Sequence, residues 1–352
     1  MTSAGEPTPP ESPSATPLKR PLLIMAVSAA ATLALLMSLA LIWGLATYSL
    51  PGPASANGAD RIVELAEGAN LSEISTVLAQ DKVISSPSVF VMAAKLTGSA
   101  RRLKAGEYSF PSKTSMSVVM DMIRKGKRLR HQVTIPEGLP SDMVVDALMK
   151  SDVLTGTVSA PPEGSVMPQT YEVKRGETRA AVLERMMKAQ TDLVAELWPK
   201  RRSGLPFSTP EQAVTLASIV EKETAKADER PRIAALFINR LQQGMRLESD
   251  PTIIYGITRG RPLGRGLRAS EVDAHTPYNT YVIFGLPPTP IANPGRAALE
   301  AVLTAPSSTE VFFVADGTGG HVFATSYADH RRNVAQWRQI ERQQAAAPGG
   351  GR

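Results

Sequence analysis

The chain has 352 residues, a net charge of +6 and a pI near 9.5; with no cysteine, thiol nucleophiles, disulfides and cysteine-ligated metals are excluded together. The length accommodates two or three domains of ordinary size. Its basic excess would suit nucleic acid, but the first predicted element decides against that partner.

Residues 1–20, rich in Pro, Ser and Thr, are expected to form a disordered cytoplasmic tail. Residues 21–50 form the expected transmembrane anchor. From position 22 to 50 runs LLIMAVSAAATLALLMSLALIWGLATYSL, 29 residues without a charge, where about 20 suffice to cross a bilayer. Lys19 and Arg20 precede this run and no Lys or Arg follows until Arg61. The positive-inside rule therefore keeps the N-terminus in the cytoplasm and sends the remainder outside. The competing reading is a cleaved signal peptide with ASA at 54–56 as its processing site, but such h-regions span only about 7–15 residues. A basic domain outside the cytoplasm meets cell-wall carboxylates and phospholipid head groups, not a genome.

Residues 51–60 read as a Pro/Gly/Ala/Ser linker. A weak internal repeat follows. RIVELAEGANLSEISTVLAQ predicts strand, glycine turn and helix, with Asn70 or Ser72 as N-cap. HQVTIPEGLPSDMVVDALMK and YEVKRGETRAAVLERMMKAQ repeat the pattern, and GEYSFPSKTSMSVVMDMIRKG is a looser copy. These units divide into a module at 61–130 and a connecting α+β subdomain at 131–204. From 205 to 340 the texture changes. Thr209 and Pro210 open an amphipathic helix, and a second covers 230–243. Turn-dense segments follow (LESDPTIIYG, GRPLGRGL, TPYNTY, GLPPTPIANPG), then a helix at 295–303, strands in EVFFVAD and HVFATS, and a closing helix at 327–342. Residues 341–352 are expected to be a disordered tail. The fold class is thus α+β: one N-terminal transmembrane helix, a small α+β module, then a mixed α/β domain.

The segment AVTLASIVEKET carries two glutamates. At 100° per residue Ala213, Ala217, Val220 and Thr224 make one stripe, with Glu221 at its border. Glu223 falls about 200° further round and Lys222 points away, so the carboxylates do not share a cleft, and Glu223 and Lys222 read as solvated neighbours. Periodicity alone leaves either glutamate an ordinary surface residue. Chemistry singles out Glu221, because a carboxylic acid pressed on apolar neighbours has its pKa raised and stays ready to donate a proton. The four histidines (His131, His275, His321, His330) show no HExxH or other ligand spacing, so no metal is expected. No G-x-S-x-G elbow and no phosphate loop is present. The basic RGRPLGRG reads as a flexible loop, the four-proline GLPPTPIANPG as a rigid one, and Asn279–Tyr281 as either sugar-orienting groups or ordinary turn chemistry.

LASIVEKET, FINRL, LESDPTIIYG, YNTY, GLPPTPIANPG and FFVADGTGGHVFATSYADH occur in one order over 216–330. Together they resemble the endolytic murein transglycosylases, the YceG-like family. The likeness extends upstream to the anchor, to a LysM-like module near 61–126 and to VTIPEG before the catalytic half. It implies that Glu221 is the catalytic acid, that 205–340 is the catalytic domain, and that Asp250, Tyr278, Asn279, Tyr281 and Asn239 contact substrate. It further implies cleavage of the MurNAc–GlcNAc β-1,4 bond in nascent peptidoglycan with a 1,6-anhydro product, no cofactor, and a protein of the bacterial inner membrane working beside peptidoglycan synthases. The sequence departs from the family pattern at PQTY, where Gln169 replaces an Asp, and at Thr276 in place of Ser. Two rivals stand beside this reading: an anchored peptidoglycan-binding scaffold without chemistry, and an ordinary hydrolase using Asp250 as second carboxylate.

Overall fold

A computed structural model describes residues 19–346; of the tails expected at 1–20 and 341–352, residues 1–18 and 347–352 lie outside the described residues, whereas 19–20 and 341–346 are helical rather than disordered. The chain falls into two compact units, residues 19–129 and 130–346.

The first unit begins with α1 (Lys19–Ser49), whose Leu23–Ser49 stretch is long and apolar enough to cross a membrane and has a mean hydropathy of 2.2. Then come β1 (Arg61–Leu65), α2 (Leu71–Gln80), α3 (Pro87–Leu96), β2 (Gly106–Phe110) and α4 (Met116–Lys125). β1 and β2 pair antiparallel from Arg61↔Phe110 to Leu65↔Gly106. Their inward side chains, Val63, Leu65, Tyr108 and Phe110, meet Leu78, Phe90, Val119 and Ile123 from the helices. Asn70 caps α2, its Oδ1 accepting from the Ser72 and Glu73 amides while Glu73 accepts from the Asn70 N–H. α3 escapes a periodicity scan because PSVFVMAAKL is apolar almost throughout, although Ser86 and Pro87 are a start signal. The expected 51–60 linker is tied down. Gly52 N–H donates to the Lys113 carbonyl, and the Arg61 guanidinium donates to the carbonyls of Pro53, Ala54 and Lys82.

The second unit opens with β3 (His131–Thr134) and α5 (Ser141–Met149), then β4 (Thr170–Val173) and α6 (Arg179–Leu197). β3 pairs antiparallel with β4, so the four copies of the repeat each form strand then helix and their strands pair two by two. The helical body follows: α7 (Pro210–Glu223), α8 (Arg230–Gln242), α9 (Asp250–Thr258), α10 (Ala269–Val272) and α11 (Arg296–Leu303). A hairpin of β5 (Phe312–Ala315) and β6 (His321–Ala324) and the helix α12 (Tyr327–Ala346) close the unit. α12 thus runs past the expected stop at Arg342. The turn-dense LESDPTIIYG holds most of α9, whose start carries Ser249 as N-cap and Pro251 in the first turn.

The expectation that α7 and α8 are amphipathic is not met. Every residue from 213 to 220 and from 233 to 240 is buried, because α7, α8 and α11 pack on one another and loops cover the remaining faces. Thr209 and Gln212 form a capping box at the start of α7, with Pro210 in the first turn, as its sequence signals. α5 and α6 are joined by Arg179. Its guanidinium donates to the carbonyls of Leu148, Gly156 and Ser151 at 2.7–2.9 Å, gathering the C-terminal end of α5 and the turns beyond it. Arg179→Ala leaves those carbonyls without their donor. It should cost about 2–4 kcal/mol, read as a lowered urea midpoint, and Arg179→Lys should recover only part because one ammonium does not span the carbonyls.

Candidate active site

The last turn of α7 carries Glu221, and three chain segments converge on it. Its Oε2 accepts from the Gly295 N–H at 2.9 Å, and its Oε1 lies 3.4 Å from Arg230 Nη2 at the start of α8. The same Nη2 is 3.7 Å from Glu137 Oε2, in the PEG turn between β3 and α5. The Glu221 side chain is only 4% exposed, whereas that of Glu137 is 43% exposed. Burial pushes the Glu221 pKa above the usual carboxylate range. The Gly295 N–H opposes that rise, the Glu137 charge adds to it, and Arg230 and Lys222 oppose it. Glu221 therefore holds its proton more readily than a solvated glutamate does, the direction a general acid needs.

Loops hold these partners in place. The ANPG turn is fixed by Asn293, whose Nδ2 donates to the Leu139 carbonyl and Oδ1 accepts from the Val166 N–H. The Asn293 carbonyl in turn accepts from Gly138 N–H, and Lys222 Nζ donates to the Gly138 carbonyl at 3.3 Å. Ile291 N–H donates to Ser218 Oγ, one turn before Glu221, which seats the proline-rich loop on α7. Gly295 lets the Glu137 carboxyl lie against its Cα: a methyl group there would require the half-exposed Glu137 side chain to move.

Glu223 corrects the solvated assignment. Its Oε1 accepts from Ser249 Oγ at 2.5 Å, and burial of the carboxyl raises its pKa to about 7, with nearby Asp250 adding to the rise. A helix angle separates two side chains in direction and says nothing about depth, and the end of α7 is covered on both sides. The two glutamates do serve separate clusters. Around Glu223 stand Ser249, Asp250 and Tyr281, whose hydroxyl donates to Asp250 Oδ1 at 2.8 Å. Asp250 thus belongs with Glu223, not with Glu221.

The remaining expected contacts divide by exposure. Tyr278 is half-buried, its ring 4.9 Å from that of Tyr255 and its hydroxyl 2.8 Å from Thr289 Oγ1. It lines an open cleft of ≈ 610 Å³ together with Glu163, Arg259 and Thr289. Asn279 is 0% exposed; its amide donates to the Val272 and Ala274 carbonyls and accepts from Tyr281 N–H. Asn239 is buried, its amide donating to the carbonyls of Ser308 and Glu310. Both asparagines hold loops, and their amides are consumed in doing so. Gln169 sits just before β4, where its carbonyl accepts from Ile135 N–H. Among the described residues no group of three His, Asp or Glu side chains could hold a metal. Glu137, Arg230 and Gly295 are the site residues that helical periodicity misses. Their only signals are the short IPEG and IANPG turns, which mark bends without saying what the bends approach.

The YceG-like family profile matches residues 63–336. The endolytic murein transglycosylase of Streptococcus pneumoniae strain D39 is 28% identical over 323 residues, covering 78% of this chain and 58% of its own length. The protein of that name from Bacillus subtilis is 27% identical over 304 residues, covering 77% and 82%. A crystal structure of a putative YceG-like protein from Listeria monocytogenes is 27% identical, with a TM-score of 0.48, over 78% of this chain and 99% of that one. The chain thus spans less than two thirds of the pneumococcal relative's length.

The raised Glu223 pKa has a signed consequence. An unfolded glutamate titrates near 4.5 and the folded one near 7, so the folded state holds this proton more tightly. The stabilisation is fully present below pH 4.5 and is lost as the pH rises through 7. Glu223→Gln, which keeps an acceptor for Ser249, should match the wild-type Tm at pH 4. At pH 8 it should be more stable, by at most about 3 kcal/mol. Equal pH dependence of the two Tm curves would show Glu223 ionising normally.

Proposed function

This chain belongs to the YceG-like family, and from that premise we propose that it is a membrane-anchored endolytic lytic transglycosylase of peptidoglycan. The single observation that carries the reading is the setting of Glu221: a nearly enclosed carboxyl with its pKa raised, one backbone donor at Oε2, and the Arg230–Glu137 pair beside Oε1. The relatives named endolytic murein transglycosylase supply the substrate class.

In this mechanism Glu221 is protonated when substrate binds and gives its proton to the glycosidic oxygen as the bond from MurNAc C1 breaks. The resulting carboxylate takes the proton of the MurNAc C6 hydroxyl, whose oxygen closes on C1 and leaves a 1,6-anhydro end. Glu221 finishes protonated and no water is consumed. The nucleophile comes from the sugar, so one carboxylate does the work that glycosidases generally divide between two. Gly295 N–H steadies the ionised form, while Glu137 keeps Arg230 from neutralising Glu221 outright.

The same Glu137 supports one rival, hydrolysis, because a second carboxylate shares a guanidinium with Glu221 and is half-exposed. Asp250, the candidate from sequence, stands in the Glu223 cluster instead. The strand–helix–helix–strand order over 61–110 supports a LysM-like glycan-binding module. Lys19 and Arg20 at the start of α1, and no cation after it until Arg61, support an N-terminus in the cytoplasm and the second unit outside.

Mass spectrometry of murein digested by the protein tests the reading: anhydro ends are expected, reducing ends would establish hydrolysis, and no product would leave a scaffold. Glu221→Gln removes the proton and should lower the rate by about 10²–10⁴-fold with little change in Tm. Glu137→Gln removes a like charge, so Glu221 should lose its proton at lower pH. The alkaline limb of the rate profile should then move to lower pH.

A further inference from the structure

The first unit carries apolar side chains that its own core does not use. Most of α3 feeds that core through Phe90 and Ala94, but Met92 is 63% and Leu96 80% exposed. Together with Ser88 and Lys95 they occupy positions i, i+4, i+7 and i+8, one continuous outward face. A single exposed leucine is ordinary. Two large apolar side chains and a lysine on one turn-to-turn stripe, followed by exposed Arg101 and Arg102, form an amphipathic pattern aimed away from the protein.

What lies against that face follows from α1. The 27 residues of Leu23–Ser49 measure about 40 Å at ~1.5 Å per residue. A bilayer's hydrocarbon core is only about 30 Å thick, and about 40–45 Å with its head groups. The last two turns of α1 therefore pass through the head-group layer. Trp43 and Tyr48 sit there, as aromatic residues do at that boundary. In the same turns α1 stops being bare. Residues 23–43 are exposed, Gly44, Ala46, Thr47 and Tyr48 are partly covered, and α1 packs against α3 and α4, with Tyr48 on the module's core. α3 is thus held at the depth where α1 leaves the membrane.

We propose that α3 is an interfacial helix, and that the Met92–Leu96 face rests in the lipid surface around α1 while Lys95, Arg101 and Arg102 meet phospholipid phosphates. The occupant is the bilayer itself, because the anchor places it there. This inference rests on α1 spanning a membrane and is independent of any chemistry at Glu221. It holds for either orientation of the chain.

The absence of native cysteine makes the test clean. Full-length protein carrying a single cysteine at position 92, 96, 36 or 243 is nitroxide-labelled and placed in nanodiscs containing phosphatidylglycerol. Relaxation by oxygen, which partitions into lipid, is compared with relaxation by a water-soluble nickel chelate. Labels at 92 and 96 should fall between position 36, at mid-bilayer within α1, and position 243, with nickel access several-fold below that at position 243. Labels at 92 and 96 that behave like position 243 would overturn the interfacial helix and leave the anchor intact. Labels shielded from both reagents would place protein on that face instead of lipid. Aqueous behaviour at position 36 would remove the anchor, and the inference with it.

Discussion

The second unit depends on a helix whose middle two turns have no solvent face. With every residue from 213 to 220 buried, α7 is fixed in rotation and translation by its packing, so the side chains of its last turn have no freedom to choose surroundings. Glu221 and Glu223 are delivered to opposite sides of a covered helix end, and each meets a different loop. A surface helix would give both carboxylates to water, where their pKa values would be ordinary. Enclosure makes their protons chemically significant, and the loop at 286–295 and the turn at 136–139 complete it.

The elements that rest on local signals were legible. Thr209, Pro210 and Gln212 mark the start of α7, Asn70 and Glu73 that of α2, and four strand–turn–helix copies can be picked out by eye and do form. Failures came where burial saturates the pattern. α3 is apolar almost throughout, so alternation is absent, and α9 contains a proline and a glycine that also spell a turn. The tied-down 51–60 segment has the composition of a flexible linker, yet distant residues use its carbonyls as acceptors. Composition reports what a backbone is free to do, not what its neighbours ask of it.

For the candidate site, Glu221 is singled out by the raised pKa expected of a carboxyl on apolar neighbours and by the family resemblance. Its surroundings were not legible, since Glu137, Arg230 and Gly295 lie 84, 9 and 74 positions away in the chain. Asn239 and Asn279 show the opposite error. Amides in motif-rich loops invite a ligand role, but when the loops fold the carbonyls around them need donors first, and a buried backbone acceptor left unpaired costs about 1–3 kcal/mol. The polar residues left over for a ligand are those a fold can spare.

The clamp at the base of the first unit has a mechanical meaning. Gly52 is hydrogen-bonded to Lys113, Arg61 grips Pro53 and Ala54, and Tyr48 sits on the module's core. No swivel therefore separates anchor from module. Any tilt or spin of α1 becomes a tilt or spin of the sheet β1–β2, and resistance met by the module is returned to the helix as torque. The unit behaves as a key on its shaft, and its stiffness there is set by a few backbone carbonyls.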